Sequence, residues 1–496
     1  MSETESAGQP TASASDPRSG PERSPGRRLA RSTAFFSIAT ALSRVAGLVR
    51  EIVAAAYFGV SAAMTAFTIA FQVPNLVRSL FADAAIQAAF VPVFTEQLEQ
   101  GNRREAFRLA STLIYIVALL LGLLSALFIL LAPAVMPVFA PGLDDASQEL
   151  TASLAQVLFP ILVLLGVTGM VVGVLNSYDR FGALAISPFF WNVAIIAVLA
   201  GFAPLVPDDD EIYVYAIGVL VGTVVQLAIN AQDIRNTPFR LLRAFDWRMP
   251  EVRRVLVLML PVTISLGLIN VNLVINSFFG TLVSENAPAA IDKAFRIYML
   301  PQGVFSVAVT TVMFPTLARF AAREDFAELR ATMANGMRQI VLLLMPATAA
   351  ILALSEPMVR LVYERGVFGE GATDLVSTAL FWFAFSLPFN GLFLLLTRTF
   401  FSLQRPWVPT AISAVNLALT ALFCALFYEP FGVGGIVAAT SFGVWTLLDD
   451  ALGRGLAGQI VSLGVALVAG AAVYAAAVSA LRVPEARQIR NLLRRG

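Results

Sequence analysis

Apolar runs of about twenty residues recur along almost the whole chain, and a run of that length matches the hydrocarbon thickness of a bilayer. They fall near 34–59, 62–95, 109–138, 151–175, 183–204, 212–231, 252–280, 289–318, 334–354, 375–397, 408–428, 432–448 and 456–481, thirteen in all, the twelfth being short. Inside lipid every backbone N–H and C=O must find its partner within the protein, so such runs can only be helices or closed barrels. Runs this long and this continuous predict an all-α polytopic membrane protein. Composition agrees: 58% of the 496 residues are hydrophobic, 14% are charged, and the mean hydropathy is +0.77. An ordinary soluble domain carries about 25% charged residues.

Against that background the charges inside the runs stand out. Ser43-Arg44 through Arg50-Glu51 and Pro74-Asn75-Leu76-Val77-Arg78 place arginines where a lipid-facing helix has none. A charge near the bilayer centre costs roughly 3 kcal/mol on insertion scales, and arginine cannot escape by deprotonating. Arg44, Arg50 and Arg78 therefore point to a watery cavity that receives an anion.

Other chemistries are excluded by what is missing. The sequence has no histidine and a single cysteine, Cys424, which removes the commonest general base and zinc ligand and rules out thiol-based metal sites and intrachain disulfides. A net charge of +1 gives no footprint for nucleic acid. No GxxxxGK[ST] phosphate loop is present, which argues against direct ATP drive. Neither a cofactor nor a metal site is expected, and without histidine or a dense acidic cluster an enzyme is not expected either.

The loops alternate in sign. Asp144, Asp145, Glu149, Asp208–Glu211, Glu285 and Glu429 mark one side, while Arg103, Arg104, Arg108, Arg235–Arg254, Arg319, Arg323, Arg330, Arg398 and Arg405 mark the other. The positive-inside rule puts the arginine loops and the N-terminus in the cytoplasm. The basic tail from Arg482 to Arg495 also belongs there, which needs an even number of crossings and conflicts with thirteen.

Three matches repeat at an offset of about 224 residues: Val91-Pro92-Val93-Phe94 with Phe314-Pro315-Thr316-Leu317, Ser177-Tyr178-Asp179-Arg180 with Ser402-Leu403-Gln404-Arg405, and Asn192 with Asn416. An offset of six helices preserves orientation, so the expected architecture is two six-helix lobes related by a parallel pseudo-two-fold around a central cavity. The divisions are a disordered cytoplasmic tail (1–32), an N-lobe (33–231), a basic linker (232–251), a C-lobe (252–448) and a C-terminal helix with a basic tail (449–496).

Arg44 and Arg50 lie on opposite flanks of a regular helix, and a break at Ala46-Gly47 would bring both into one cavity. The plainer alternative has Arg44 snorkelling to the interface. Glu51 is a partner for either arginine. Pro74 is expected to break the second span, with Gln72, Asn75, Ser79, Asp83 and Gln87 forming a polar stripe around Arg78. In Ile291-Asp292-Lys293-Ala294-Phe295-Arg296, Arg296 is the cavity candidate and Asp292 and Lys293 are fair interfacial anchors. Asn270, Asn272 and Asn276 either bond between helices or line the same cavity. Three arginines from two lobes suit a diphosphate, whose oxygens guanidinium groups bind in pairs.

Taken together these motifs resemble the MurJ (MviN) lipid II flippase family, in the multidrug/oligosaccharidyl-lipid/polysaccharide exporter superfamily. The resemblance rests on Ser43-Arg44 through Arg50-Glu51, Pro74–Arg78 with Phe90-Val91-Pro92, Leu175-Asn176-Ser177 with Arg180-Phe181, Arg296 with Pro301, Gly303 and Pro315, and Glu364–Phe368. It implies two six-helix lobes with extra C-terminal helices, usually fourteen in all, around a cationic cavity that alternates between cytoplasmic and outward openings. The family's cavity arginines fall on Arg44, Arg50, Arg78 and Arg296, with Glu51, Asn75 and Asp83 as neighbouring site residues. The implied cargo is undecaprenyl-diphosphate-linked disaccharide pentapeptide (lipid II), with membrane lipids around its tail and cell-wall synthesis proteins as candidate partners, in a bacterial plasma membrane.

The chain departs from the family at Thr65, Ser79, Ala84, Ile86, Phe295 and Met299, at Asn276 and Thr420 where some relatives carry acids for a coupling cation, and in a shortened stretch around Trp445–Gly455. The alternative function is export of another lipid-linked glycan or an amphipathic molecule.

Overall fold

The structure is a computed structural model that describes residues 25–81, 84–259, 278, 281, 284–403, 405, 407–408 and 411. Among these, every regular element is helical. The order is α1 (Pro25–Phe58), α2 (Ala62–Phe81), α3 (Ala84–Glu99), α4 (Arg103–Phe139), α5 (Asp145–Leu158), α6 (Ile161–Ser177), α7 (Gly182–Phe202) and α8 (Glu211–Ile234). A segment over 250–259 (α9), α10 (Ala287–Pro301), α11 (Val307–Ala322), α12 (Phe326–Tyr363) and α13 (Glu370–Ser402) follow. Among the described residues, seven stretches are long and apolar enough to cross a bilayer, including Arg103–Phe139, Asp145–Ser177 and Ala287–Ala322. The protein is thus a multi-pass membrane protein of the all-α class.

Several spans are less uniform than their hydropathy suggests. Pro74 does not break α2, which continues through it to Phe81. A proline inside a helix removes one hydrogen bond and crowds the preceding turn, but a packed helix absorbs that cost. The run 151–175 is interrupted at Phe159-Pro160. Between α10 and α11, residues Gln302–Ser306 widen into a π-helical turn directly after Pro301. The expected break at Ala46-Gly47 is absent, since α1 runs unbroken from Pro25, inside the stretch assigned to the N-terminal tail. α12 is kinked at Leu354 (φ −124°, ψ 21°), three residues before Pro357.

Three buried clusters organise the described helices. The largest joins Ala54 and Phe58 of α1 with α2, α4, α5, α7 and α8. A second centres on Phe90, Phe94, Leu109, Leu113 and Met170 of α3, α4 and α6 and takes in Phe239. The third belongs to α10, α11, α12 and α13, and Ala55 of α1 joins it. So α1 serves both groups of helices. Phe239 shows that the 235–249 connection is docked: Arg108 pairs with Asp246 (2.8 Å), and Ser111 Oγ accepts from the Leu242 N–H (2.9 Å).

At the opposite end the two groups meet backbone to backbone. The Val367 N–H donates to Ala56 O (3.0 Å). Gly366 has φ +59°, and a Cβ there would lie 2.3 Å from that same carbonyl oxygen. Only glycine combines a left-handed backbone with so close an approach.

Most of 408–428 and of 252–280, the spans 432–448 and 456–481, residues 1–24 of the tail, and Asp83, Asn270, Asn272, Asn276, Thr420, Cys424 and Trp445–Gly455 lie outside the described residues.

Candidate functional site

Glu51 and Arg50 are neighbours on α1, so their side chains leave the helix about 100° apart. That places Arg50 toward α7 and Glu51 toward α10. Arg50 is buried, ion-paired with Glu51, and its guanidinium lies over the Trp191 ring at 4.7 Å from the centroid. A cation over a desolvated indole gains about 2 kcal/mol. The ring is held by its own N–H, which donates to Thr223 Oγ1 on α8 (3.1 Å).

From the other group of helices, Arg296 Nη1 reaches Glu51 at 3.3 Å. Its Nε and Nη2 also donate to both oxygens of Asp292, at 3.2 and 3.4 Å, one helical turn earlier on α10. One buried carboxylate therefore joins guanidinium groups from α1 and α10, across the boundary between the two helix groups. Pairing is what makes these charges tolerable away from water; removing one partner of a buried pair typically costs about 3–5 kcal/mol.

The cluster opens into a cavity of about 360 Å³ lined by Arg50, Glu51, Thr68, Gln72, Asn75, Asp292 and Arg296, with Met64, Phe67, Phe71, Trp191, Tyr215, Phe295 and Met299 as apolar wall. A second cavity of about 430 Å³ shares Arg50, Phe71, Asn75, Trp191 and Arg296 and extends between α6, α7 and α8. The geometry offers a polar, guanidinium-bearing floor in an otherwise apolar shaft.

The predicted residues are distributed as follows. Arg50, Glu51, Asn75 and Arg296 come together in the cavity. Arg44 does not: six residues from Arg50 on an unbroken helix, it is exposed and lies against the π-helical turn, where a Cβ on Gly303 would stand 2.9 Å from its Nη1. Glu51 accordingly pairs with Arg50 and Arg296. Arg78 sits on the last turns of α2 with its side chain outside what is described, as is Asp83. Lys293 is no interfacial anchor: it is fully buried. The anchor reading failed because α10 begins at Ala287 and packs against α13 at once, so its second turn is already inside the protein.

Trp191, Tyr215 and Phe67 were not singled out from sequence. Aromatic residues in apolar helices carry no mark that separates a cavity wall from core packing. Asn192, buried beside Gly47, was the nearest signal on α7.

The match to known proteins follows this geometry. The family model "Lipid II flippase MurJ" matches residues 54–479. A probable lipid II flippase MurJ of Rhizobium meliloti (strain 1021) is 33% identical over 452 residues, covering 89% of this chain and 84% of the relative. A lipid II flippase MurJ of Burkholderia cenocepacia is 30% identical over 424 residues, covering 83% and 80%. Among solved structures, a lipid II flippase MurJ in an inward-closed conformation superposes with a TM-score of 0.66 at 22% identity, over 90% of this chain and 87% of that one. An inward-facing MATE transporter of the MOP superfamily gives 0.63 at 15% identity, over 89% and 95%. With the family model spanning most of its length and relatives of this identity along it, the chain belongs to the MurJ lipid II flippase family.

Proposed function

We propose that this protein moves undecaprenyl-diphosphate-linked disaccharide pentapeptide from the cytoplasmic to the outer leaflet, holding the diphosphate with cavity arginines and exposing the cavity to each side in turn. The observation that carries this reading is the Glu51 carboxylate shared between Arg50 on α1 and Arg296 on α10. Each arginine is held in place by an internal anion that a stronger, doubly charged anion can replace. A diphosphate offers paired oxygens at guanidinium spacing, and such bonds are roughly twice as strong as neutral ones.

The apolar wall of Phe67, Phe71, Trp191 and Phe295 gives sugars and peptide faces to stack on, while the lipid tail stays in the membrane. Arg44, against Gly303 on the arginine-loop side of Arg50, would meet the headgroup first, and this reading assigns Arg78 and Asp83 to the same site. In this reading the N-terminus is cytoplasmic, since α1 enters from the end that carries Arg103, Arg180 and the 235–254 arginines. The lobes are 33–231 and 252–448.

The test is complementation of cells depleted of their own lipid II flippase, with the intact chain, Arg296→Ala and Arg78→Ala side by side. Rescue by the intact chain alone, with all three at equal membrane levels, is the expected result. Rescue by Arg296→Ala would remove the arginine site from the reading. Failure of the intact chain at normal membrane levels would turn the reading to another lipid-linked glycan.

A further inference from the structure

Lys293 is the only lysine in the chain. It is fully buried, and among the described residues its Nζ has no hydrogen-bond partner. The Tyr363 ring stands 5.6 Å from Nζ, and the Tyr363 hydroxyl donates to the Lys293 carbonyl (3.3 Å), which fixes the ring without giving the ammonium an anion. A buried ammonium left this way is costly unless a carboxylate can reach it.

Two carboxylates are close in the fold. Asp292 precedes Lys293 on α10, leaves the helix about 100° away, and is engaged by Arg296. Glu51 is the other. Lys293 and Arg296 are three residues apart on α10, a spacing that brings side chains within about 5–6 Å at Cβ, and Arg296 Nη1 lies 3.3 Å from Glu51. Ala55, one turn beyond Glu51, shares a buried cluster with Ala290 and Ala294 on either side of Lys293. Lys293 thus lies next to Arg296 on α10, on the side from which Arg296 reaches Glu51.

We propose that Lys293 is a positioning residue: it takes the Glu51 carboxylate when a diphosphate takes Arg50 and Arg296. The charge count supports it. Arg50, Lys293 and Arg296 are three cations against the two anions Glu51 and Asp292, and the cation in excess is Lys293. When an anion engages both arginines, Glu51 becomes a buried carboxylate beside another anion. Moving to Lys293 gives it a partner and takes it away from the incoming charge. This inference rests on the reading of the cavity as a diphosphate site and adds how that site empties itself of its own anion.

The experiment is calorimetric binding of inorganic pyrophosphate to the purified full chain in detergent, in a two-by-two cycle of Lys293→Met and Glu51→Gln. Expected is a loss of about tenfold for Lys293→Met in the native background and less than about twofold in Glu51→Gln, where no carboxylate needs a new partner. Lys293→Arg keeps native affinity. Equal loss in both backgrounds would make Lys293 a direct ligand or a packing element, and no loss would make it idle; either overturns the exchange. Absence of pyrophosphate binding by the intact chain would overturn the diphosphate reading itself, an outcome separable from the other two. Lys293→Gln, closer in polarity, stands in if the methionine variant does not fold.

Discussion

Gly366→Ala tests whether the far end of the molecule is a closure between the two helix groups. The perturbation is one methyl group at a position with φ +59°, placed 2.3 Å from the Ala56 carbonyl oxygen. Holding a residue with a Cβ in the left-handed region costs about 1–2 kcal/mol. The clash is with backbone, so α1 and the 364–369 loop must part, and the Val367-to-Ala56 hydrogen bond is lost with about 1 kcal/mol. Together about 2–3 kcal/mol disfavours the closed arrangement, which lowers its population relative to an open one by about 30- to 150-fold. The assay is distance measurement between spin labels at Asp209 and Asp374, both exposed and each on a different helix group, in a chain with Cys424→Ser. The share of longer distances should rise. A native distance distribution in a fully folded variant would refute the assignment of this contact as a closure.

Two further outcomes follow from the same geometry. Gly222→Ala puts a Cβ 2.8 Å from Trp191 O, so overpacking of about 1–3 kcal/mol outweighs the roughly 1 kcal/mol of helix propensity gained, and the melting temperature in detergent should fall. Asp144, the N-cap of α5, accepts from the Ser147 N–H (2.9 Å), which holds its carboxyl below its ordinary value of 3.8. Its stabilisation is present above that value and lost as the pH falls through the lowered one, so Asp144→Ala should melt lower at neutral pH and the gap should close in acid.

How much of this was legible depended on whether a residue was out of place for its span. Arg50, Glu51 and Arg296 were, because a charge in an apolar run has few explanations, and all three meet in the cavity. Apolar length likewise announced α4, α8 and α13. What periodicity cannot give is which flank of a helix faces the cavity. The sequence left Arg44 either in the cavity or snorkelling to the interface, and the unbroken α1 keeps it out of the cavity that Arg50 lines. Lys293 was misjudged for a related reason: depth along the sequence is not depth in the protein, and α10 is covered from its first turn. Trp191 and Tyr215 were hidden in plain composition, since the pattern of an aromatic wall around a cavity is also the pattern of a core.

Among the described residues, two polar interactions tie α1 to the second helix group, and they lie five residues apart: Glu51 with Arg296 in the cavity, and Ala56 with Val367 at the end. On a helix that is about 7.5 Å, too short for α1 to move at one contact and stay still at the other. An anion that draws Arg296 away from Glu51 therefore removes one of two restraints on the same rigid element. What remains is a backbone hydrogen bond of about 1 kcal/mol and the apolar contact of Ala55 with the α10–α13 cluster. Transfer of Glu51 to Lys293 would replace the lost restraint with another on the same helix, α10, shifted by one turn. On the proposed exchange, cargo binding would change where α1 is held, and Lys293, the one cation of this cluster without a hydrogen-bond partner among the described residues, would gain the carboxylate that the arginines give up.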